Sequence, residues 1–393
     1  MKWVKLGEIA EIRMGKTPAR DELKYWIAGN NTWVSISDMC EKFIFESKEN
    51  ITGLAVEECN MKVVPKGTVI MSFKLSIGKR AITGKDLYTN EAIASFNIYD
   101  EKLITKEYLY YVLGYVDLFS YVNRAAKGKT LNKQILNIIK IPLLTLKDQE
   151  KIVEILDYAQ ALVDKQKEEI ELYNKLIESI FYEMFGDPLI EDCKWGRAKL
   201  IDITSKIGSG ATPRGGEEAY KSEGISLIRS MNVYDDGFLY DGLAFIDDKQ
   251  ARDLNNVVVE KGDILFNITG ASIMRTCIVP ENILPARVNQ HVSIIRTTKE
   301  VNSNYLANLL KNKSYKRKLY NIATAGGATR EAITKGDLEE LDIPLPPLSL
   351  QESFANKVKL IEEQKRILEK SLEEKETLFA ALMDRAFKGE LTS

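Results

Sequence analysis

The chain has 393 residues, 45% apolar and 28% charged, with a net charge of −2 at pH 7; that length supports two or three domains, each able to bury a core. Four widely spaced cysteines (Cys40, Cys59, Cys193, Cys277) without a Cys-x-x-Cys argue against a disulfide framework, a zinc ribbon and a redox motif, and the single histidine, His291, excludes a multi-histidine metal site. The charged start MKWVKLGEIAEI does not read as a signal peptide, no run of ~18 apolar residues offers a membrane span, and a reducing cytoplasmic setting is expected.

In chain order the first recognisable piece is KWVKLGEIAEIRMGKTP (2–18), followed by WVSISDM (33–39). VVPKGTVIMS (63–72) is a Lys-Gly turn running into a strand over Val69–Ser72, and TNEAIA (89–94) follows it. EYLYYVL (107–113) has helical spacing and predicts a helix over Lys106–Tyr115. GKTLNKQILNIIKIPLLTLKDQE (128–150) carries an Ile-Pro-Leu punctuation at 141–143, after which the composition turns helical. Thr145-x-x-Asp148 has capping-box spacing, and Gly186 with Pro188 ends the helix. Along it Ile152, Leu156, Ala159, Val163, Gln166, Ile170, Tyr173, Ile177, Ile180 and Met184 alternate four and three apart, a heptad seam with one polar member.

From Lys194 the series is written again. KWGRAKLIDITSKIGSGATP (194–213), LIRSMNV (227–233), VVVEKGDILFN (257–267), VNQHVS (288–293), NYLANLL (304–310) and GGATREAITKGDLEELDIPLPPLSLQE (326–352) match the first set in order. The offsets drift only from 194 to 202. Strands are expected over Ile264–Asn267 and Ser293–Ile295; Ser349-x-x-Glu352 repeats the capping-box spacing, and Gly389 marks a second helix end. The second seam is Phe354, Val358, Ile361, Lys365, Leu368, Leu372, Lys375, Phe379, Leu382 and Ala386, with two lysines whose stems must snorkel past the apolar layer.

The expected fold class is therefore mixed α/β (α+β): two tandem globules of one kind, 1–144 and 193–348, each followed by a long helix, 145–192 and 349–393. Neither seam can be left in water, so the helices are expected to pair as an antiparallel coiled coil related by a pseudo-two-fold axis. Each ~37-residue helix would be about 55 Å long. The plainer alternative packs each helix on its own globule.

Charge is segregated. Cys59–Lys85 holds Lys62, Lys66, Lys74, Lys79, Arg80 and Lys85 with no acid, and Leu118–Lys147 holds Arg124, Lys127, Lys129, Lys133, Lys140 and Lys147, again with none. In the second copy Val301–Arg330 carries Lys311, Lys313, Lys316, Arg317, Lys318 and Arg330. Residues 148–192 hold thirteen acids against four bases, and residues 352–390 nine against eight, leaving the globules at +8. Basic stretches rich in Gly, Asn, Ser and Thr suit a polyanion, whose counterions they release. An acidic rod suits protein partners instead. Taken alone, a charge run is more often a solvated face.

No catalytic constellation stands out. There is no P-loop, no GxGxxG after a strand and no HExxH. MGKTP (14–18), GSGATPRGG (208–216) and AGGATR (325–330) lack the Gly-Lys-Ser/Thr ending of a phosphate loop and read as turns bringing backbone close to a ligand. His291, in the alternating segment VNQHVSII, reads as a framework residue.

Taken together, the quoted pieces resemble the specificity subunit of type I restriction–modification enzymes over the whole chain. The resemblance implies that the globules are target recognition domains, each reading one half of a split, asymmetric sequence of double-stranded DNA. It implies that the long helices, that family's conserved regions, set the distance between halves and dock two methyltransferase subunits, with restriction and translocase subunits joining. The partners, not this chain, would hold S-adenosylmethionine and ATP; no cofactor or metal of its own and no catalytic residue is expected. Residue type and setting give the candidate DNA contacts: Lys16, Thr17, Ser72, Lys74, Lys79, Arg80, Lys127 and Lys129 in copy one. In copy two they are Thr212, Arg214, Arg229, Asn232, Asn267, Arg275, Gln290 and Arg330. Arg forks onto guanine, and Asn or Gln onto adenine. Two other readings compete: a coiled-coil scaffold without sequence-specific DNA binding, and an enzyme with a degenerate methyltransferase or nuclease site.

Overall fold

In the computed structural model, which describes residues 2–121, 131–190, 194–324 and 331–391, the chain divides into two units. One is Met1–Gln166 with Ser371–Ser393, the other Lys167–Lys370. Each unit takes a globule, the first part of the long helix that follows it and the last part of the other long helix.

In the first unit, alternation of apolar residues builds a five-stranded sheet in the order Ala10–Met14, Ile93–Ile98, Val69–Ser72, Arg80–Thr83, Phe43–Ile44. A smaller sheet sets Asn31–Val34 between Glu49–Ile51 and Tyr88–Thr89. The opening strand Lys2–Lys5 pairs antiparallel with Lys140–Leu143, so Trp3 faces Pro142. The helix Lys106–Tyr115 lies where its spacing predicted, capped by Thr105, whose hydroxyl accepts from the Tyr108 amide.

The second unit repeats these pieces. Thr204–Ser209, Val292–Thr297, Ile264–Asn267 and Thr276–Ile278 form one sheet. Ala244–Ile246, Ile225–Ile228, Ala286–Val288 and Val258–Val259 form the other. Gly196–Lys199 pairs with Asp342–Leu345 in the register of its counterpart, Arg197 facing Pro344. Buried Tyr108 donates to the Pro142 carbonyl at 2.9 Å, and buried Tyr305 to that of Pro344 at 2.7 Å. The short hairpin Val233–Tyr234 and Gly237–Phe238, turning at Asp235-Asp236, belongs to this copy.

The long helices are Leu146–Phe185 and Leu348–Phe387. In the first unit Ile152 and Leu156 share a core with Met383, Ala386 and Phe387, while Gln166 accepts a hydrogen bond from Lys375. Sequence numbers rise on one helix as they fall on the other, so the pairing is antiparallel. The second unit does the same: Phe181 and Phe185 lie 5.6 and 5.3 Å from the Phe354 ring, in one core with Ile177 and Val358. The alternative, in which a helix packs on its own globule alone, fails in both units, although each helix end does also enter a globular core.

Two expectations need correction. Thr145 does cap the first helix, accepting from the Asp148 amide at 3.3 Å and donating to its carboxylate at 2.7 Å. Ser349, however, lies inside the second helix, and the position equivalent to Thr145 is Pro347, whose carbonyl accepts from the Leu350 amide at 2.9 Å. The seam also shifts at its end. Ile152, Leu156, Val163 and Ile177 are buried, Ile170 and Tyr173 half-buried, but then Phe181 and Phe185 are buried in place of Ile180 and Met184. In the second helix Phe354 and Val358 are buried, Ile361, Leu368, Leu372 and Phe379 half-buried, and Met383 and Phe387 buried beside Ala386. The heptad gives way to a spacing of four because these aromatic rings turn into the globular cores, where Phe387 meets Tyr108 at 5.5 Å and Phe181 meets Tyr305 at 5.9 Å.

Lys365 is 2% exposed, yet it is not stranded. Its ammonium donates to the Asp236 carbonyl at 3.3 Å and lies 3.8 Å from Glu369.

Candidate nucleic-acid interface

At one end of the sheet that holds Val69–Ser72, and of the one that holds Ile264–Asn267, four loops meet, and three backbone hydrogen bonds tie them identically in both units. Asn90 N–H donates to Val34 O and Asn289 N–H to Ile228 O, each at 3.0 Å. Phe73 donates to Ala92 O at 2.9 Å, as Ile268 does to His291 O at 3.0 Å; Leu131 donates to Phe73 O and Ile333 to Ile268 O, each at 2.9 Å. A Cβ on Gly15 would sit 2.2 Å from Asn90 O, and one on Gly210 only 1.8 Å from Val288 O. Gly15 of MGKTP and Gly210 of GSGATP therefore bring backbone close to the chain's own next loop.

Buried amides and hydroxyls hold this frame, which corrects three candidate contacts. Ser72, Asn232 and Asn267 are fully buried. Asn232 caps the 3₁₀ turn Ser230–Asn232, accepting from the Arg229 amide at 3.0 Å and donating to Leu239 O at 2.9 Å. Asp38 caps the equivalent turn in copy one through the Ser35 amide at 2.8 Å. The Asn267 amide donates to Ser230 O at 2.9 Å, and Ser72 donates to Ser76 O. Ser72, Asn232 and the amide nitrogen of Asn267 serve backbone, while Asn267 Oδ1 is buried without a partner among the described residues, and all three side chains are closed to a duplex in this structure.

The remaining candidates divide. Thr17 donates to the Glu91 carboxylate, and Thr212 to the Gln290 side-chain oxygen, so both stand at the loop junction. Lys79 and Arg214 are exposed and make no ion pair among the described residues; Lys74 is half-buried, its ammonium 5.4 Å from the Phe73 ring. Lys16 is exposed, but its ammonium donates to Cys59 O at 2.7 Å. Arg275 lies half-buried on the Tyr234 ring at 4.2 Å. Arg229 is committed to Glu217 at 2.9 Å and Gly242 O at 2.7 Å. Arg80 is driven against Gly114 and the Tyr110 ring, 4.9 Å away, and burial pulls its pKa down. A guanidinium so placed packs on the helix Lys106–Tyr115. Lys127, Lys129 and Arg330 lie outside the described residues.

Sequence reasoning missed three groups. Glu91 is not among the candidates, although TNEA aligns with VNQH and so sets it opposite Gln290. Arg20 stacks on Trp26 and Trp33, at 4.1 and 4.7 Å, while pairing with Glu49; no spacing announced it. Asn90 and Asn289 each accept from the amide two residues on, at 3.0 Å, and so shape the turn. The basic run of copy two is also less free than its composition implied. Lys311 donates to Asp235 O at 3.2 Å, Lys316 pairs with Asp235, and Lys313 meets Glu178 on the long helix at 2.9 Å. Among the described residues no cluster of His, Cys, Asp or Glu could hold a metal, and no helix is long and apolar enough to cross a membrane.

A twice-built frame displaying unlike loops, on helices that pair within each unit, defines a duplicated recognition module. The family model described as "Type I restriction modification DNA specificity domain" matches residues 1–172 and again 194–376. The chain belongs to this family, that of the specificity subunits of type I restriction–modification enzymes, which are non-catalytic components of their complexes. Among curated proteins it is 25% identical over 392 residues to the type I restriction enzyme MjaIX specificity subunit of Methanocaldococcus jannaschii, covering 93% of this chain and 88% of that one. Two solved structures share the fold: the S subunit of a type I system from M. genitalium, with 14% identity, TM-score 0.52 and coverage of 98% and 96%. The other, from work on assembly and conformational transition of the type I system, has 19% identity, TM-score 0.54 and coverage of 99% and 98%.

Proposed function

We propose that this chain reads a bipartite, asymmetric double-stranded DNA target, one half with each recognition domain, and docks two methyltransferase subunits and the restriction subunits through its paired helices. The domains are then 1–144 and 193–348, and the helical regions 145–192 and 349–393. The observation that carries this reading is the loop frame: the same backbone hydrogen bonds in both units, with different polar side chains at its exposed positions. A common scaffold bearing unlike readers selects two unlike half-sites. Lysines such as Lys79 grip phosphate, whereas groups fixed by neighbours read base edges. Acidic helix surface repels the duplex and is left for protein. S-adenosylmethionine and ATP belong to the partners, and the complex works in the cytoplasm.

Electrophoretic retardation of the full chain with its methyltransferase partners tests this. Binding should fall steeply with salt and survive competition by random duplex only for a split sequence. A coiled-coil scaffold, the second reading, would show neither behaviour.

A further inference from the structure

The geometry points to one specificity-determining position present in both copies, Glu91 in the first domain and Gln290 in the second: Glu91 selects cytosine and Gln290 selects adenine at one base pair of their respective half-sites. This rests on the reading of the chain as a bipartite DNA reader and deepens it.

Three observations place the two residues in one role. Each follows the asparagine that shapes the turn into an inner strand of its sheet, Asn90 or Asn289. Each side chain receives the hydroxyl hydrogen of the threonine in the Thr-Pro loop, Thr17 or Thr212. Both are exposed, at the junction of the loops. The scaffold is therefore held constant while the terminal group changes from carboxylate to amide.

That change decides what each can recognise. Hydrogen bonding from Thr17, aided by Lys74 and Arg20, holds the Glu91 carboxyl below the usual carboxylate range. It is an acceptor only, already receiving the Thr17 hydroxyl and its own backbone N–H, and its exposed oxygens keep lone pairs that in the major groove match the amino donor of cytosine. Gln290 uses its oxygen for Thr212, and its amide nitrogen lies 3.1 Å from His291 Nε2. The amide can only donate there, which assigns the ring proton to Nδ1, donating to the Thr269 hydroxyl at 2.6 Å. Gln290 keeps one N–H and one oxygen lone pair free, and adenine presents the complementary acceptor and donor. His291 thus orients the reader rather than reading.

The test is selection from a pool of randomised duplexes by the full chain purified with its methyltransferase subunits, comparing the unmodified protein with Glu91→Gln and Gln290→Glu. Both exchanges are isosteric and leave the threonine bond an acceptor. Glu91→Gln should move the preference at one base pair of one half-site from cytosine to adenine by about tenfold or more, leaving every other position unchanged. Gln290→Glu should do the reverse in the other half-site. Thr17→Val, which frees Glu91 without replacing it, should blur that one base pair only. Unchanged profiles, or a uniform loss of affinity with the preferences intact, would overturn the assignment. If the unmodified complex selects no sequence at all, the bipartite reading itself fails, and this inference falls with it.

Discussion

Gln149 and Gln351 occupy the same place in the first turn of each long helix, fully buried, and each ties the helix to its globule. Gln149 accepts from the Thr105 amide at 2.9 Å and donates to Leu103 O at 2.9 Å and Leu144 O at 3.0 Å. Gln351 accepts from Asn302 and donates to Pro346 O, at 2.9 and 2.8 Å. Gln149→Leu keeps the volume but strands a buried amide and carbonyls, and should lower stability by about 1–3 kcal/mol in urea unfolding. Burial pushes the Cys277 thiol up to about 12, while Cys40 is exposed. Iodoacetamide at pH 8 should therefore label Cys40 in the folded protein and spare Cys277 until denaturant is added, as peptide mass spectrometry would show. A raised thiol pKa also means that the stability gained from keeping Cys277 neutral is present below the thiol's unfolded value and lost as the pH climbs towards 12. Little of this was legible in the sequence. Asn232 and Asn267 have the donors and acceptors an adenine reader needs, but backbone makes the same demand, and only burial tells the two apart.

Elements were more legible, because period and punctuation are local. The strands Val69–Ser72 and Ile264–Asn267 and the helix Lys106–Tyr115 follow directly from apolar spacing and Lys-Gly turns. The seam was legible until Ile177, where a globular core outcompetes the heptad. Phe181→Ala should accordingly cost about 3–5 kcal/mol, the range for emptying a packed aromatic site, since its ring meets Tyr305, Phe185 and Phe354. Opposite polarities secure the globules to the helices. In the first unit Asp157 of the helix holds Lys42 and the Tyr111 hydroxyl; in the second, Lys365 of the helix holds the Asp236 carbonyl. Asp157→Ala should remove about 1 kcal/mol and, with its hydrogen bond gone, let the phenol of Tyr111 ionise more readily, although burial, the larger cause, still holds it up. Urea unfolding would show the lost stability; an unchanged midpoint would mean that Asp157 does not help to hold the globule to the helix.

At the scale of the molecule, duplication was the clearest message in the sequence, because apolar, glycine and proline positions answer to the same fold while exposed polar ones do not. Net charge was the least clear. The +8 of the globules counted Lys313 and Lys316 as free for a polyanion, whereas tertiary structure gives both to acids. Arg275, stacked on Tyr234 in copy two, offers a test of independence between copies: Arg275→Ala should relax one half-site by about 1–3 kcal/mol, with the other unaltered in the same selection. The measurement that bears most directly on the duplicated reader is the map of modified bases in DNA from cells with and without this gene, read by methylation-sensitive sequencing. Two short specified blocks separated by a gap of fixed length and free sequence are predicted. A single uninterrupted block, or a modification pattern indifferent to the gene, would contradict it.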